Sequence, residues 1–286
     1  MRVARSPDPT DAAVGVDELF TDEKAPGERA GRRSKQRNAQ RHRQGFFRTI
    51  VQILGELLIT AGVVLLLFIA WELWWTNIDA NNAQQHAISA FAKEFQGPVA
   101  PVNSGAEPKD FGPPVVMADI DSPGKVFGVV YIPRFGATYS RPLVDGVARE
   151  QLDTLGLGRY ATSTMPGGIG NFAVAGHRQT HGAVLDAIDS LVPGDKIYVQ
   201  TKDGYYTYVF RNNQIVLPTR ADVLLPVPTE AGAVPTERFM TMTSCNPRFG
   251  SEERIIAYSL LESWQPASAG PPAAIAAQVA ANSSKG

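Results

Sequence analysis

Residues 57–71, LLITAGVVLLLFIAW, carry no charge, and widening the run to 50–75 admits only Gln52, Glu56 and Glu72 as strongly polar members. About 20 mostly apolar residues in a row are what a helix needs to cross a bilayer, because its backbone polar groups are all satisfied within the segment. The sequence therefore predicts a transmembrane helix at 50–75. Glu56 and Glu72 fall toward opposite headgroup regions, where a carboxylate costs less than at the midplane. Trp71, Trp74 and Trp75 suit the outer aromatic belt. Arg29, Arg32, Arg33, Lys35, Arg37, Arg41, Arg43 and Arg48 precede the run with no acidic residue among them, whereas 76–96 offers only Lys93. The positive-inside rule then places the N-terminus in the cytoplasm and everything after residue 75 outside, as a single-pass protein of the cell membrane. A cleaved signal peptide has a shorter apolar core followed by a small-residue cleavage site; the long basic leader and the tryptophan cluster favour an uncleaved anchor.

The formal net charge of -1 conceals this asymmetry. Outside the leader no basic stripe interleaves with aromatics, so nucleic acid is not an expected partner. Residues 1–49 read as a mostly disordered cytoplasmic leader, rich at first in Asp, Glu, Pro and Gly. Ile78, Ala83, Ala87, Ile88, Phe91 and Phe95 lie at roughly helical spacing and predict a short helix leaving the membrane. The prolines at 98, 101, 108, 113, 114 and 123 make the rest of the 76–124 segment read as an extended spacer, with 111–114 the portion to inspect as a cover over a cleft.

From Lys125 the pattern changes to short apolar or alternating runs at 126–132, 170–175, 196–200, 205–212, 214–217, 238–244 and 254–261, separated by turn signals such as Pro193-Gly194-Asp195 and Asp203-Gly204. Short helices are expected at 149–155 and 183–189. Such a series predicts a mainly β domain at 125–264, an antiparallel barrel or sandwich. The Ala, Ser, Pro and Gln composition of 265–286 reads as a disordered tail.

Cys245 is the only cysteine. With no partner for a disulfide, outside the cytoplasm it is either a reactive thiol or a small buried hydrophobe. A nucleophilic thiol needs a proton acceptor and donor, usually histidine. Of the four histidines, His42 lies in the leader and His86 beside the membrane, which leaves His177 and His181. His177 follows an apolar strand and a glycine, at a strand end where a cleft can be lined. His177 and His181 have the spacing of a metal pair but no intervening glutamate and no clear third ligand, so no metal or other cofactor is expected. Acyl transfer also needs positive charge where an oxyanion develops. If 239–244 and 254–261 pair as adjacent strands, Cys245 ends one and Arg254 begins the next. Arg248, in the connecting loop, reads as a solvated charge paired with Glu252 or Glu253.

Ala175-Gly176-His177-Arg178 and Thr241-Met242-Thr243-Ser244-Cys245-Asn246-Pro247-Arg248, with Arg254 beyond, resemble the sortases, and most of all the class E sortases of high-GC Gram-positive bacteria. The resemblance covers roughly 125–261 and includes Ile132-Pro133-Arg134-Phe135-Gly136 and Pro193-Gly194-Asp195. Met242 stands where leucine is usual, and Asn246 where many class E members carry histidine. The resemblance implies an antiparallel eight-stranded barrel with Cys245 as nucleophile, His177 as general acid and base, and Arg254 as the oxyanion-stabilising cation. It further suggests substrate contacts at Tyr139, Thr243 and Asn246. The implied reaction is transpeptidation. A secreted protein bearing an LPxTG-like or LAxTG-like sorting signal is cut between Thr and Gly through a thioacyl intermediate, then joined to a peptidoglycan precursor or another amine. The alternatives are a hydrolytic cysteine peptidase and a non-catalytic cell-surface barrel.

Overall fold

The computed structural model describes residues 30–95, 97–101 and 110–285; the part of the leader before residue 30, expected to be disordered, lies outside them. Helix α1 runs unbroken over Ala30–Glu94. The sequence pattern predicts here instead a disordered leader to 49, a span at 50–75 and a separate short helix. No proline occurs between Pro26 and Pro98 to stop the helix, and an interior glycine costs only about 1 kcal/mol. The apolar stretch of α1 is exposed on all sides, and by length and composition it is enough to cross a membrane.

Eight strands close a barrel in the order β1-β2-β3-β4-β7-β8-β6-β5. They are β1 (Val126–Tyr131), β2 (Ser140–Asp145), β3 (Leu157–Arg159), β4 (Gly170–Ala175), β5 (Lys196–Thr201), β6 (Gly204–Val216), β7 (Arg238–Asn246) and β8 (Glu253–Pro266). The expected barrel and strand number are present, with one correction: β2 pairs with β3, and β4 with β7, in parallel. Parallel neighbours need a crossover. Helix α2 (Arg149–Leu155) lies in the first connection, and β5, β6 and the loop 217–237 form the second. β2 and β3 escaped the sequence reading because Pro142 interrupts one and the other is only three residues long. The runs 205–212 and 214–217 are one strand, β6, whose pairing with β8 shifts register at two places. Of the helix expected at 183–189, only a 3₁₀ turn at Ile188–Ser190 forms.

Side chains alternate between the faces of a strand. Leu143, Phe172, Val174, Ile197, Val199, Met240, Met242, Ile255 and Ala257 fill the barrel. A second cluster covers the outside of β1, β5 and β6. Val129, Tyr131, Tyr198 and Tyr205 face Ile88 and Phe91 of α1 together with Ile275 and Val279. Residues 265–286 are therefore not a disordered tail. β8 extends to Pro266, and α3 (Ala276–Ser284) seals the aromatic outer face. The Asn282 amide donates to the Tyr131 hydroxyl, which donates to Gln200. Burying Ile275 and Val279 contributes about 1.5–3 kcal/mol each, and this offsets the low apolar content of the segment.

Residues 110–124 are strapped to the barrel rather than forming a free spacer. The Trp264 indole donates to the Gly112 carbonyl, the Tyr206 hydroxyl to that of Val115, and Met117 is buried. Trp264 lies ten residues along β8 from Arg254, about 30 Å at the strand rise, so 111–114 does not cover Cys245. Arg159 holds the end of the strap. Its side chain is 2% exposed, bonds Asp145 and Asp119, and donates to the carbonyls of Ile120 and Ser163.

Removing one partner of a buried ion pair strands the other. Arg159→Met should cost about 3–5 kcal/mol in chemical unfolding, and a loss under about 1 kcal/mol, the scale of a surface pair, would contradict the clamp. A second prediction concerns the Pro193-Gly194-Asp195 turn. The hydrogen bond and charge of Arg134 hold the Asp195 carboxyl below its usual range, with help from the Val192 amide and against a smaller opposing effect of burial. A depressed carboxyl contributes stability above its unfolded pKa and loses it as pH falls through the folded value. Asp195→Asn should thus lower the melting temperature at pH 7, and the gap to the parent protein should narrow on acidification below pH ~4; a gap independent of pH would contradict the role of charge.

Candidate active site

In β7 the interior positions are Met240 and Met242, so Thr241, Thr243 and Cys245 face outward by alternation. In β4, Phe172 and Val174 point in, which leaves Ala173, Ala175 and, two residues beyond the strand, His177 in the outward phase. Parallel pairing sets Ala175 opposite Thr243. Two bonds carry it past the strand end: the Gly176 amide donates to the Thr243 carbonyl at 3.1 Å, and the Ser244 hydroxyl to the Gly176 carbonyl at 2.8 Å. On the other side of β7, antiparallel pairing sets Cys245 opposite Arg254. His177, Cys245 and Arg254 thus emerge from three adjacent strands onto one end of the outer wall. Cys245 is a free, partly exposed thiol.

Further groups hold each member, among them Asp153 and Arg178, to which the sequence assigned no role. His177 Nε2 lies 2.7 Å from Asp153 Oδ1 on α2. Burial pushes the Asp153 carboxyl up, but the His177 bond, the charge of His181 and the Arg149 bond outweigh it and leave the group below its usual range. The His181 ring lies 5.0 Å from that of His177, tilted by 35°, and burial holds its pKa down against the pull of Asp153. Arg254 donates through Nη1 to the carbonyls of Ser251 and Glu253. Under the site lies Arg178, 4% exposed, which binds the Asn246 side chain at 2.7 Å, the Cys245 carbonyl at 3.4 Å and Asp189 at 2.7 Å. Arg248 pairs with Asp186 rather than with Glu252 or Glu253 and joins the 247–252 loop to the segment after His181.

The three residues suggested as substrate contacts are engaged internally. The buried Tyr139 hydroxyl donates to the Val184 carbonyl, Thr243 Oγ1 shares a hydrogen bond with Tyr160, and Asn246 spans Arg178 and Glu253. Tyr139 and Asn246 therefore brace the loops around the wall. Asp153 had no signal in linear spacing, since only the fold brings it to His177. Arg178 was readable only as the charge that follows His177. Asp153 also stands beside both histidines: atoms of ligand type on Asp153, His177 and His181 all lie within 4.8 Å of one another.

A closed eight-stranded barrel carrying a free cysteine, a carboxylate-held histidine and an arginine on neighbouring strands has the architecture of a cysteine transpeptidase. The model of the Sortase domain matches residues 130–262, and the chain belongs to the sortase family. It is 32% identical over 260 residues to Sortase SrtE1 of Streptomyces coelicolor, covering 88% of this chain and 69% of that protein. Sortase SrtE2 of the same organism is 32% identical over 223 residues, covering 74% of this chain and 81% of that protein. Among solved structures, the SrtA sortase from Actinomyces oris is 32% identical with a TM-score of 0.56, covering 58% of this chain and 96% of that one. Sortase E1 from Streptomyces coelicolor, determined with a tripeptide in its active site, is 35% identical with a TM-score of 0.50, covering 55% and 99%.

Arg178→Ala should leave Asp189 and Asn246 without their buried cation, lowering both the melting temperature and turnover, the latter at least tenfold. Full activity in this variant would show that the end of β7 holds its geometry unaided.

Proposed function

We propose that the chain is a membrane-anchored sortase in which Cys245 is the nucleophile, His177 the general acid and base, and Arg254 the cation that stabilises the oxyanion. What supports this most is the common wall: three residue types that acyl transfer requires leave adjacent strands β4, β7 and β8 in the same outward phase.

The substrate is a secreted protein with an LPxTG-like or LAxTG-like sorting signal. The Cys245 thiolate adds to the threonine carbonyl, and the charge that builds on its oxygen is met by the Arg254 guanidinium. Collapse of this adduct breaks the Thr–Gly bond, and the departing glycine nitrogen takes a proton from His177. The remaining thioester keeps the acyl group at an energy from which an amine can capture it without an external energy source. A peptidoglycan precursor or similar amine gives a proton to His177 and attacks the thioester, which forms the new amide and restores the thiolate. Asp153 holds the His177 ring in orientation and balances the charge it carries when protonated.

The apolar run of α1 would place this chemistry at the outer membrane surface, where secreted substrates and lipid-linked acceptors meet. The basic residues before it fit an N-terminus in the cytoplasm.

The test is turnover of sorting-signal peptides with and without an added amine. The amine is expected in the product, and Cys245→Ala is expected to abolish release of the glycine fragment. Release with no amine ever incorporated would make the protein a hydrolase, and turnover surviving in Cys245→Ala would overturn the assigned nucleophile.

A further inference from the structure

The loop after β4 is held in a costly conformation that brings a second histidine to the first. His181 has φ +53°, Gly182 φ +87° and Ala183 φ +47°, three successive residues in the left-handed region. For residues with a Cβ this is uncommon and costs about 1–3 kcal/mol each, so the surrounding structure must impose it. It does so from the C-terminal third of α1. The Gln84 amide donates to the His181 carbonyl, Asn77 Oδ1 accepts from the Gly182 amide, and the Asn77 amide donates to the Gln179 carbonyl. A Cβ at Gly182 would meet the Gln84 side chain at 2.7 Å.

The strain delivers the His181 ring to 5.0 Å from that of His177, at an interplanar angle of 35°. Its Nδ1 atom is buried, lies 3.6 Å from Asp153 Oδ1 and has no hydrogen-bond partner. Buried polar atoms in native proteins are nearly always satisfied, and one that is not calls for a partner. The same carboxylate oxygen lies 2.7 Å from His177 Nε2.

We propose that Asp153, His177 and His181 form a site for a divalent transition-metal ion of the zinc type, and that its occupation silences the enzyme by engaging the ring nitrogen of His177. Two imidazoles and one carboxylate, with a fourth position left to water, match what such an ion takes. Calcium and magnesium prefer all-oxygen sets. A tetrahedral ion with bonds of about 2.0–2.1 Å keeps its ligand atoms about 3.4 Å apart. The 3.6 Å pair already meets that spacing, the 2.7 Å pair needs to open by about 0.7 Å, and ligand atoms of all three residues lie within 4.8 Å of one another. An ion held on Nε2 replaces the proton shared with Asp153 and fixes the one remaining ring proton on Nδ1, so His177 can no longer alternate between its neutral and protonated forms, while the Cys245 thiol stays out of the coordination set. The binding claim stands on this geometry alone; the inhibitory consequence rests on the role proposed for His177.

Zinc chloride titrated calorimetrically into the detergent-solubilised full chain should show one saturable site. Affinity should fall at least tenfold in His181→Asn, where asparagine tolerates the left-handed backbone, and likewise in Asp153→Asn, with parental melting curves confirming that each is folded. Cys245→Ala should bind as the parent does. In parallel, transfer of a sorting-signal peptide to an amine should fall as the site fills and return with EDTA, whereas His181→Asn should turn over equally with and without zinc. Absence of a saturable site, unchanged affinity in His181→Asn, or loss of binding in Cys245→Ala would overturn the site. Saturable binding that leaves turnover intact would overturn the inhibitory role alone.

Discussion

The parallel pairing of β4 with β7 is the constraint on which the rest of this structure depends. It places Ala175 beside Thr243, and the bonds from Gly176 and Ser244 carry it beyond the last ladder residue. A slip of one residue in either strand would turn its outward side chain into the barrel, since the faces alternate with period 2. Parallel neighbours cannot be joined by a hairpin, so the chain must travel through β5, β6 and the loop 217–237 before returning as β7. That loop then becomes part of the wall. Val223 and Leu224 pack on Val216, Ile256 and Tyr258, and Asn171 of β4 donates to the carbonyls of Val223 and Leu225.

Two buried arginines fix the neighbourhood. Arg159 ties β3 to β2 and to the strap at 119–120, and Arg178 ties the end of β4 to the end of β7. Neither position rewards burial of a charge for its own sake, because desolvation offsets most of the Coulomb gain. What each supplies is several directed donors from one side chain, able to satisfy loop carbonyls and carboxylates that the barrel ladder leaves unpaired. Around the His177 wall the bracing continues through Tyr139 to Val184 and through Asn77 and Gln84 of α1 to the 179–182 turn. The helix that carries the apolar run thus also shapes the loop beside the proposed general acid and base.

Much of this was legible in the sequence because it depends on local pattern. Alternation marked six of the strands, turn residues separated them, and Cys245 and Arg254 came out opposite one another, as a hairpin across 246–253 requires. What escaped depends on tertiary contact. Pro142 hid β2, and the three-residue β3 is stabilised only by its neighbours. The Ala- and Ser-rich end looked disordered, because two buried apolar residues and an asparagine suffice once an aromatic barrel face is waiting for them. Asp153 sits 24 residues before His177 on a separate helix, where no spacing rule reaches it. The metal-pair reading of the two histidines lacked a third ligand for the same reason.

The account turns on Cys245 as the atom that becomes acylated. The most direct measurement is mass spectrometry of the full chain incubated with a sorting-signal peptide and no added amine, followed by proteolysis to locate any adduct. The account predicts a thioester-linked mass on the fragment holding Cys245, equal to the peptide up to its threonine, that disappears when hydroxylamine is added. An unmodified Cys245 during active turnover, or an acyl group carried by another residue, would contradict it.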